Sequence, residues 1–105
     1  MAQVTFKRTA TKGLVANVWI YDAAGGQILL QIPFVNDKAT ISLQPGDYLL
    51  HWALSGFPGD ELKIDWDTGA GTFSPLLASS KIPRNPHATS TGTRLTLLRN
   101  MPFRL

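Results

Sequence analysis

Apolar and polar residues alternate with a period of two along most of the chain, and no stretch of eleven or more residues keeps the period of an amphipathic helix. Turns that contain glycine or proline separate the alternating stretches. The pattern predicts an all-β protein with seven strands, at residues 4–6, 14–22, 27–34, 38–43, 47–55, 62–66 and 93–100.

Seven short strands in 105 residues favour one antiparallel β-sandwich domain over residues 1–105, of the immunoglobulin-like or prealbumin-like kind. A small β-barrel is the alternative. Segment 68–92 has no clear period and is too long for an ordinary connection in a compact domain. We expect it to be irregular, as a covering loop, a binding loop or an arm that reaches a neighbouring molecule. Within it, Ser74 and Pro75 suit the start of one helical turn.

A proline-glycine turn follows the fourth predicted strand. In Gln44-Pro45-Gly46-Asp47, proline and glycine occupy the second and third positions of a type II turn, where the glycine needs a positive φ. The run from Leu43 to Leu50 resembles the "leucine, x, proline, glycine, x, tyrosine, x, leucine" turn of bacterial prealbumin-like and carboxypeptidase-regulatory-like sandwich modules. The resemblance implies a β-sandwich. Members of those groups serve as stalks, spacers, carbohydrate-associated modules and occasional enzymes, so the fold alone carries little function.

The hairpin between the second and third predicted strands has two competing registers. A two-residue loop at Ala24-Gly25 mixes aromatic and aliphatic side chains on each face. A three-residue loop at residues 23–25, with Gly25 in a left-handed bulge position, pairs Ile20 with Ile28 and collects aliphatic side chains on one face. We therefore predict that the opposite face carries the candidate binding residues. These are Asn17, Trp19, Tyr21, Gln27, Leu29 and Gln31.

Three interpretations of this aromatic face remain open. Segment 68–92 covers it, or it is a protein interface, since tryptophan and tyrosine are enriched at binding hot spots. The third interpretation is a sugar site, because an aromatic ring stacks on a pyranose while asparagine and glutamine bond its hydroxyls. Trp52 and Trp66 lie on the apolar faces of their strands and are predicted core residues.

The net charge of +3 is distributed unevenly. The first 13 residues carry +3 and residues 68–105 carry +5, whereas residues 37–67 carry −4. We expect the basic ends to neutralise the acidic middle within the fold, with assembly between copies or a polyanion partner as the alternatives. The basic residues do not cluster and no aromatic RNA-binding motif accompanies them, so we expect no nucleic-acid partner.

The residues for catalysis or metal binding are sparse. The chain has no cysteine and only two histidines, His51 and His87, neither of which lies in a recognisable motif. Glu61 is the single glutamate. Asp65 and Asp67 before a glycine turn form a weak calcium candidate, which lacks the third acid and the closing glutamate. We expect no enzymatic activity, no cofactor and no metal.

The sequence thus predicts a non-catalytic interaction or assembly module that associates with itself or with another protein through the aromatic face. A lectin-like carbohydrate-binding module is the alternative. No apolar stretch approaches a membrane span and no export signal is visible, so we expect a cytoplasmic protein without membrane insertion.

Overall fold

The computed structural model of the protein describes residues 2–24, 26–83 and 94–105, and these residues form strands and turns without a helix. The strands are β1 (Ala2–Ala10), β2 (Val15–Asp22), β3 (Ile28–Gln31), β4 (Lys38–Leu43), β5 (Asp47–Gly56), β6 (Glu61–Asp67), β7 (Ser74–Lys81) and β8 (Leu95–Arg104).

The strands form two antiparallel sheets of four. The first sheet has the order β4-β1-β6-β7 and the second has the order β3-β2-β5-β8. Successive side chains of a strand point to opposite faces, so each sheet has one inner and one outer face. The predicted all-β antiparallel class is confirmed, and the paired sheets are compatible with a β-sandwich.

The inner faces share one hydrophobic core. Every second residue of β5 is buried, from Tyr48 to Gly56, because this strand is central in its sheet. Trp52 is buried as predicted, and its indole Nε1 donates a hydrogen bond of 2.9 Å to Ser80 Oγ of the facing sheet. Trp66 is partly buried, and its ring packs edge-on against that of Phe103. These contacts join the two sheets.

The described residues contain eight strands where the sequence predicted about seven. The additional strand, β7, lies inside segment 68–92, so the prediction of an irregular segment is wrong for residues 74–81, as is the helical turn at Ser74 and Pro75. The pairing of β7 with β6 shifts register twice, between Leu62 and Ile64 and between Ile64 and Asp65. Such irregularities break the period of two and hide the strand from a pattern search. Residues 84–92 of the segment lie outside the described residues.

The turn before β5 differs from the predicted type II turn. Gly46 does not have a positive φ, and its backbone exchanges two hydrogen bonds of 3.0 Å with Leu105. This pair extends the ladder between β5 and β8 by one step beyond Asp47 and Arg104. The Tyr48 hydroxyl donates to the carbonyl of Gln44 and closes the turn from the inside.

The hairpin between β2 and β3 differs from the predicted three-residue loop. Asp22 N donates to Gln27 O at 2.9 Å, so four residues lie in the loop, and Gly26 takes the positive φ, 65°. Gly25, the predicted left-handed residue, lies outside the described residues. Beyond the loop, a bulge between Ile20 and Tyr21 shifts the register once more.

As a result, Ile20 pairs with Leu30 and not with Ile28, and the predicted pairing is wrong by two residues. A shift of two residues returns each side chain to the same face of the sheet. Val18 and Ile20 therefore still point into the core, and Trp19 still points out.

Ion pairs connect the basic ends of the chain to its acidic middle. Arg8 contacts Asp37 at 3.1 Å, Lys81 contacts Glu61 at 3.8 Å, and Arg104 contacts Asp47 at 3.8 Å. The fold thus brings the segregated charges together within one molecule, as the sequence predicted.

Candidate interaction surface

The outer face of the first sheet is polar and charged. Lys7 of β1 lies between Lys38 of β4 and Asp65 of β6, and in the next row Thr5 Oγ1 bonds Thr40 Oγ1 at 2.9 Å. Charged and hydroxyl side chains in this arrangement are typical of a sheet face in contact with water.

The outer face of the second sheet has a different chemistry, with aromatic, aliphatic and amide side chains and no charge in its middle. The strand pairings place its central side chains in adjacent rows across β3, β2, β5 and β8. We call this set the aromatic face. It consists of Asn17, Trp19, Tyr21, Gln31, Leu49, His51, Ala53, Leu98 and Asn100.

A cluster of three rings lies at the centre of the aromatic face. Trp19 pairs directly with His51 in the β2–β5 ladder, and their ring centroids are 5.7 Å apart. The ring of Tyr21 lies 5.3 Å from the His51 ring on the other side. All three side chains are half-buried, because they pack side by side on one sheet and leave their outer surfaces open.

The predicted amide residues lie beside this cluster. Gln31 pairs with Trp19 across β2 and β3, and Gln31 Nε2 donates to Asn17 Oδ1 at 3.2 Å. Leu29 is 48% exposed in the bulged part of β3, and Ile28, not Gln27, lies beside Tyr21. The structure thus brings Asn17, Trp19, Tyr21 and Gln31 together, as predicted. It does not place Leu29 beside Trp19, and Gln27 belongs to the turn.

A groove of about 310 Å³ adjoins the amide pair. Asn17 and Gln31 form part of its wall, and Val18 and Ile32 lie below. The opposite wall carries Arg8, and the guanidinium of this residue lies 4.7 Å from the centre of the Phe34 ring. Arg8 is also bonded to the carbonyl of Ala16 at 3.3 Å, so its charge and donors are largely used within the fold. A molecule bound in the groove would therefore contact amide groups and an aromatic ring, whereas the charge of Arg8 is already paired within the fold.

Sequence reasoning missed His51 and Asn100 as members of the surface. They lie in one row with Trp19, because β5 pairs with β2 on one side and with β8 on the other. Alternation correctly predicts that His51 and Trp52 point to opposite faces of their strand. It does not predict which side chains of other strands lie next to His51. Long-range strand pairing decides that neighbour, and no local pattern in the chain reveals it.

The weak calcium candidate has another use in this structure. Asp67 Oδ1 accepts hydrogen bonds from the backbone amides of Gly69, at 2.8 Å, and Gly71, at 3.1 Å, and both glycines have a positive φ. Asp65 faces Lys7 on the first sheet. Among the described residues, no three acidic or histidine side chains form a group that could hold a metal ion. His87 lies outside the described residues.

The described part of segment 68–92 does not cover the aromatic face, because β7 pairs with β6 in the other sheet. No helix in the described ranges has the length and apolar character of a membrane span. Comparison of the chain with protein-family models, with curated proteins and with solved structures found no match.

Proposed function

We propose that the protein is a non-catalytic assembly module that associates with a second copy of itself through the aromatic face. The observation that carries the proposal is the difference between the two outer faces. One is charged and suited to water, whereas the other presents Trp19, Tyr21 and Leu98, the last 57% exposed. Aromatic enrichment and the lack of central charge are features of the buried middle of protein interfaces.

The charge pattern favours a second copy as the partner. In a twofold face-to-face contact each surface meets itself, so a charged centre would oppose like charges. The aromatic face has none there, and its amides, as in Asn17 and Asn100, carry both donors and acceptors. The charged residues at its end, Asp47 and Arg104, have opposite signs and form an ion pair, so they add no net repulsion.

The size of the face is also sufficient. Strands β5 and β8 have ten residues each, β2 has eight and β3 has four, so at ordinary strand spacing they span roughly 500 Å² of flat surface. A biological interface needs about 500 Å² from each partner. The second sheet can therefore supply a dimer interface without help from other parts of the chain.

The test is light scattering after gel filtration at several concentrations. Trp19→Ala should weaken the dimer by at least about 30-fold, the loss that a tryptophan hot spot of 2 kcal/mol represents. Leu98→Glu should do the same by placing like charges opposite each other. Phe73→Glu is the matched control, because Phe73 is 42% exposed but lies beside Lys7 and Lys38 on the other sheet.

A wild-type chain that remains monomeric at every concentration would contradict the proposal, and so would a dimer that both aromatic-face variants leave intact. Circular dichroism on each variant establishes that the fold is retained.

A lectin-like function is the second candidate, and the hydrogen-bonded amide pair beside Trp19 favours it. Asn17 and Gln31 share one hydrogen bond and are both exposed next to a ring, and a groove of about 310 Å³ adjoins them. A ring with neighbouring amides suits a sugar that has one apolar face. A glycan array tests this function. Binding that Trp19→Ala abolishes would support it, and no binding by the wild type would contradict it.

We also propose that the sandwich is of the prealbumin-like rather than the immunoglobulin-like kind. In immunoglobulin constant domains the first two strands share a sheet. Here β1 and β2 lie in different sheets, which supports the prealbumin-like alternative. An experimental structure in which β1 and β2 pair with each other would overturn this assignment.

A further inference from the structure

From the position of His51 we infer that self-association through the aromatic face is controlled by pH, and that acidification separates the two copies. The inference rests on the proposed function, because it concerns the same face. His51 is the central residue of that face, with Trp19 on one neighbouring strand and Asn100 on the other. A second copy seated there covers the imidazole and brings its own His51 to the same interface.

The side chains around His51 supply no negative charge. On β2 its neighbours are Trp19 and the diagonal Tyr21, whose hydroxyl is the one titratable group among them. On β8 they are Asn100 and the diagonal Leu98 and Pro102, and along β5 they are Leu49 and Ala53. β3 contributes Gln31 one strand further away.

The charged groups nearest to this surface lie at its margins. Asp22 pairs with Tyr48, three residues along β5 from His51, and its Oδ1 accepts a hydrogen bond from Ala24 N. Asp47 and its partner Arg104 are four residues along β5 from His51, about 13 Å. At the other end Arg94 Nη2 donates to the Ser55 carbonyl at 2.7 Å. Arg99 precedes Asn100 on β8 and belongs to the opposite face of the strand. In the described part of the chain, no carboxylate on the aromatic face is placed to pair with a buried imidazolium.

The separate molecule, in contrast, accommodates the charge. An imidazolium at 51 lies within 6 Å of two ring centroids, a distance at which aromatic rings attract cations, and it keeps contact with water. Covering it with a second copy removes that water and places two like charges in one interface. Histidine side chains change charge between pH 5 and pH 8, so the penalty appears in this range.

The experiment is sedimentation velocity of the full chain at pH 8.0 and pH 5.5, with circular dichroism at both pH values to establish folding. Since a dimer needs two neutral imidazoles, each tenfold fall in the fraction of neutral chains raises the apparent dimer dissociation constant about 100-fold, and we expect a rise from pH 8.0 to pH 5.5. Whatever the strength of its dimer, His51→Gln should show the same apparent dissociation constant at both pH values. His87→Gln removes the other histidine of the chain and should behave as the wild type.

The outcomes separate the inference from the proposed function. A wild-type dimer of equal strength at both pH values overturns the inference and leaves the proposed function in place. A dimer that weakens in acid even in His51→Gln also overturns the inference. A wild-type chain that is monomeric at pH 8.0 overturns the proposed function, and the inference with it.

Discussion

The indole of Trp52 and the hydroxyl of Ser80 form a buried hydrogen bond that connects the two sheets. Ser80 is a buried polar residue in a core that is otherwise apolar in the described part of the chain. Without the hydroxyl, the indole N–H would lose its acceptor in the core. A buried donor without an acceptor costs about 1–3 kcal/mol.

Ser80→Ala is therefore expected to lower the free energy of unfolding by about 1–3 kcal/mol. Urea denaturation followed by tryptophan fluorescence measures the change. Ser42→Ala, at an exposed position of β4, is the control and should stay within about 0.5 kcal/mol of the wild type. Equal stabilities of the two variants would show that the hydrogen bond does not hold the sheets together.

The contribution of Glu61 to the stability of the fold depends on pH. The Ser79 hydroxyl donates to the Glu61 carboxylate and, with Lys63 at 3.7 Å and Lys81 at 3.8 Å, holds the pKa of Glu61 below its ordinary value of 4.5. A carboxyl whose pKa is lower in the folded chain stabilises the fold at higher pH, and this contribution disappears as the pH falls through the folded pKa.

Glu61→Gln should therefore be less stable than the wild type at pH 7, and the difference should vanish when the pH is lowered well below 4.5. Thermal unfolding of both proteins across this pH range measures it. A stability difference that stays constant from neutral to acidic pH would contradict the assignment, since it would arise from packing and not from charge.

At the scale of elements, strands with regular alternation were predictable and irregular ones were not. Strand β4 has the predicted bounds, because Ala39, Ile41 and Leu43 alternate with polar residues without interruption. Strand β7 was missed, because it contains Pro75 and pairs irregularly. The register of β3 was wrong for a related reason, since a longer loop and a bulge together shift it by two residues. The outward direction of Trp19 was nevertheless predictable, because alternation within β2 does not depend on its partner.

Gly46, just before β5, and Gly56, the last residue of β5, differ in the space available for a side chain. A Cβ on Gly56 would lie 2.5 Å from Asp60 Oδ2 and 2.7 Å from Leu14 Cδ1. The same Asp60 oxygen accepts a hydrogen bond from Phe57 N at 2.9 Å, so this bond restrains the Asp60 side chain from moving away from an added Cβ. Gly46, at the beginning of the strand, has no atom within 4 Å of the corresponding position and no positive φ.

Gly56→Ala should thus lower the free energy of unfolding by about 1–3 kcal/mol, whereas Gly46→Ala should change it by no more than about 1 kcal/mol and can be slightly stabilising. Chemical denaturation of the pair measures both. A marked loss in Gly46→Ala would instead indicate the type II turn that the sequence suggested, since that turn needs a glycine with a positive φ.

In the whole molecule, the two outer faces differ in chemistry, since one is charged and the other carries aromatic, aliphatic and amide side chains. Local sequence revealed half of this arrangement, namely the outward rings of β2. The other half, His51 and Asn100, depends on β5 pairing with both β2 and β8, which are contacts between distant parts of the chain. Such contacts arise from the complete fold, so the candidate surface could be located from sequence but not completed.

In the proposed dimer two copies meet through the aromatic face, and the absence of cysteine from the chain allows a direct test. Ala53→Cys places one thiol on the aromatic face of central strand β5, and Thr5→Cys places one on the outer face of central strand β1. Both positions are half-buried. Each variant is treated with a short bifunctional maleimide, and the products are separated by denaturing gel electrophoresis. We expect a covalent dimer for Ala53→Cys and a monomer for Thr5→Cys. A monomer for Ala53→Cys, or equal cross-linking of both variants, would contradict it.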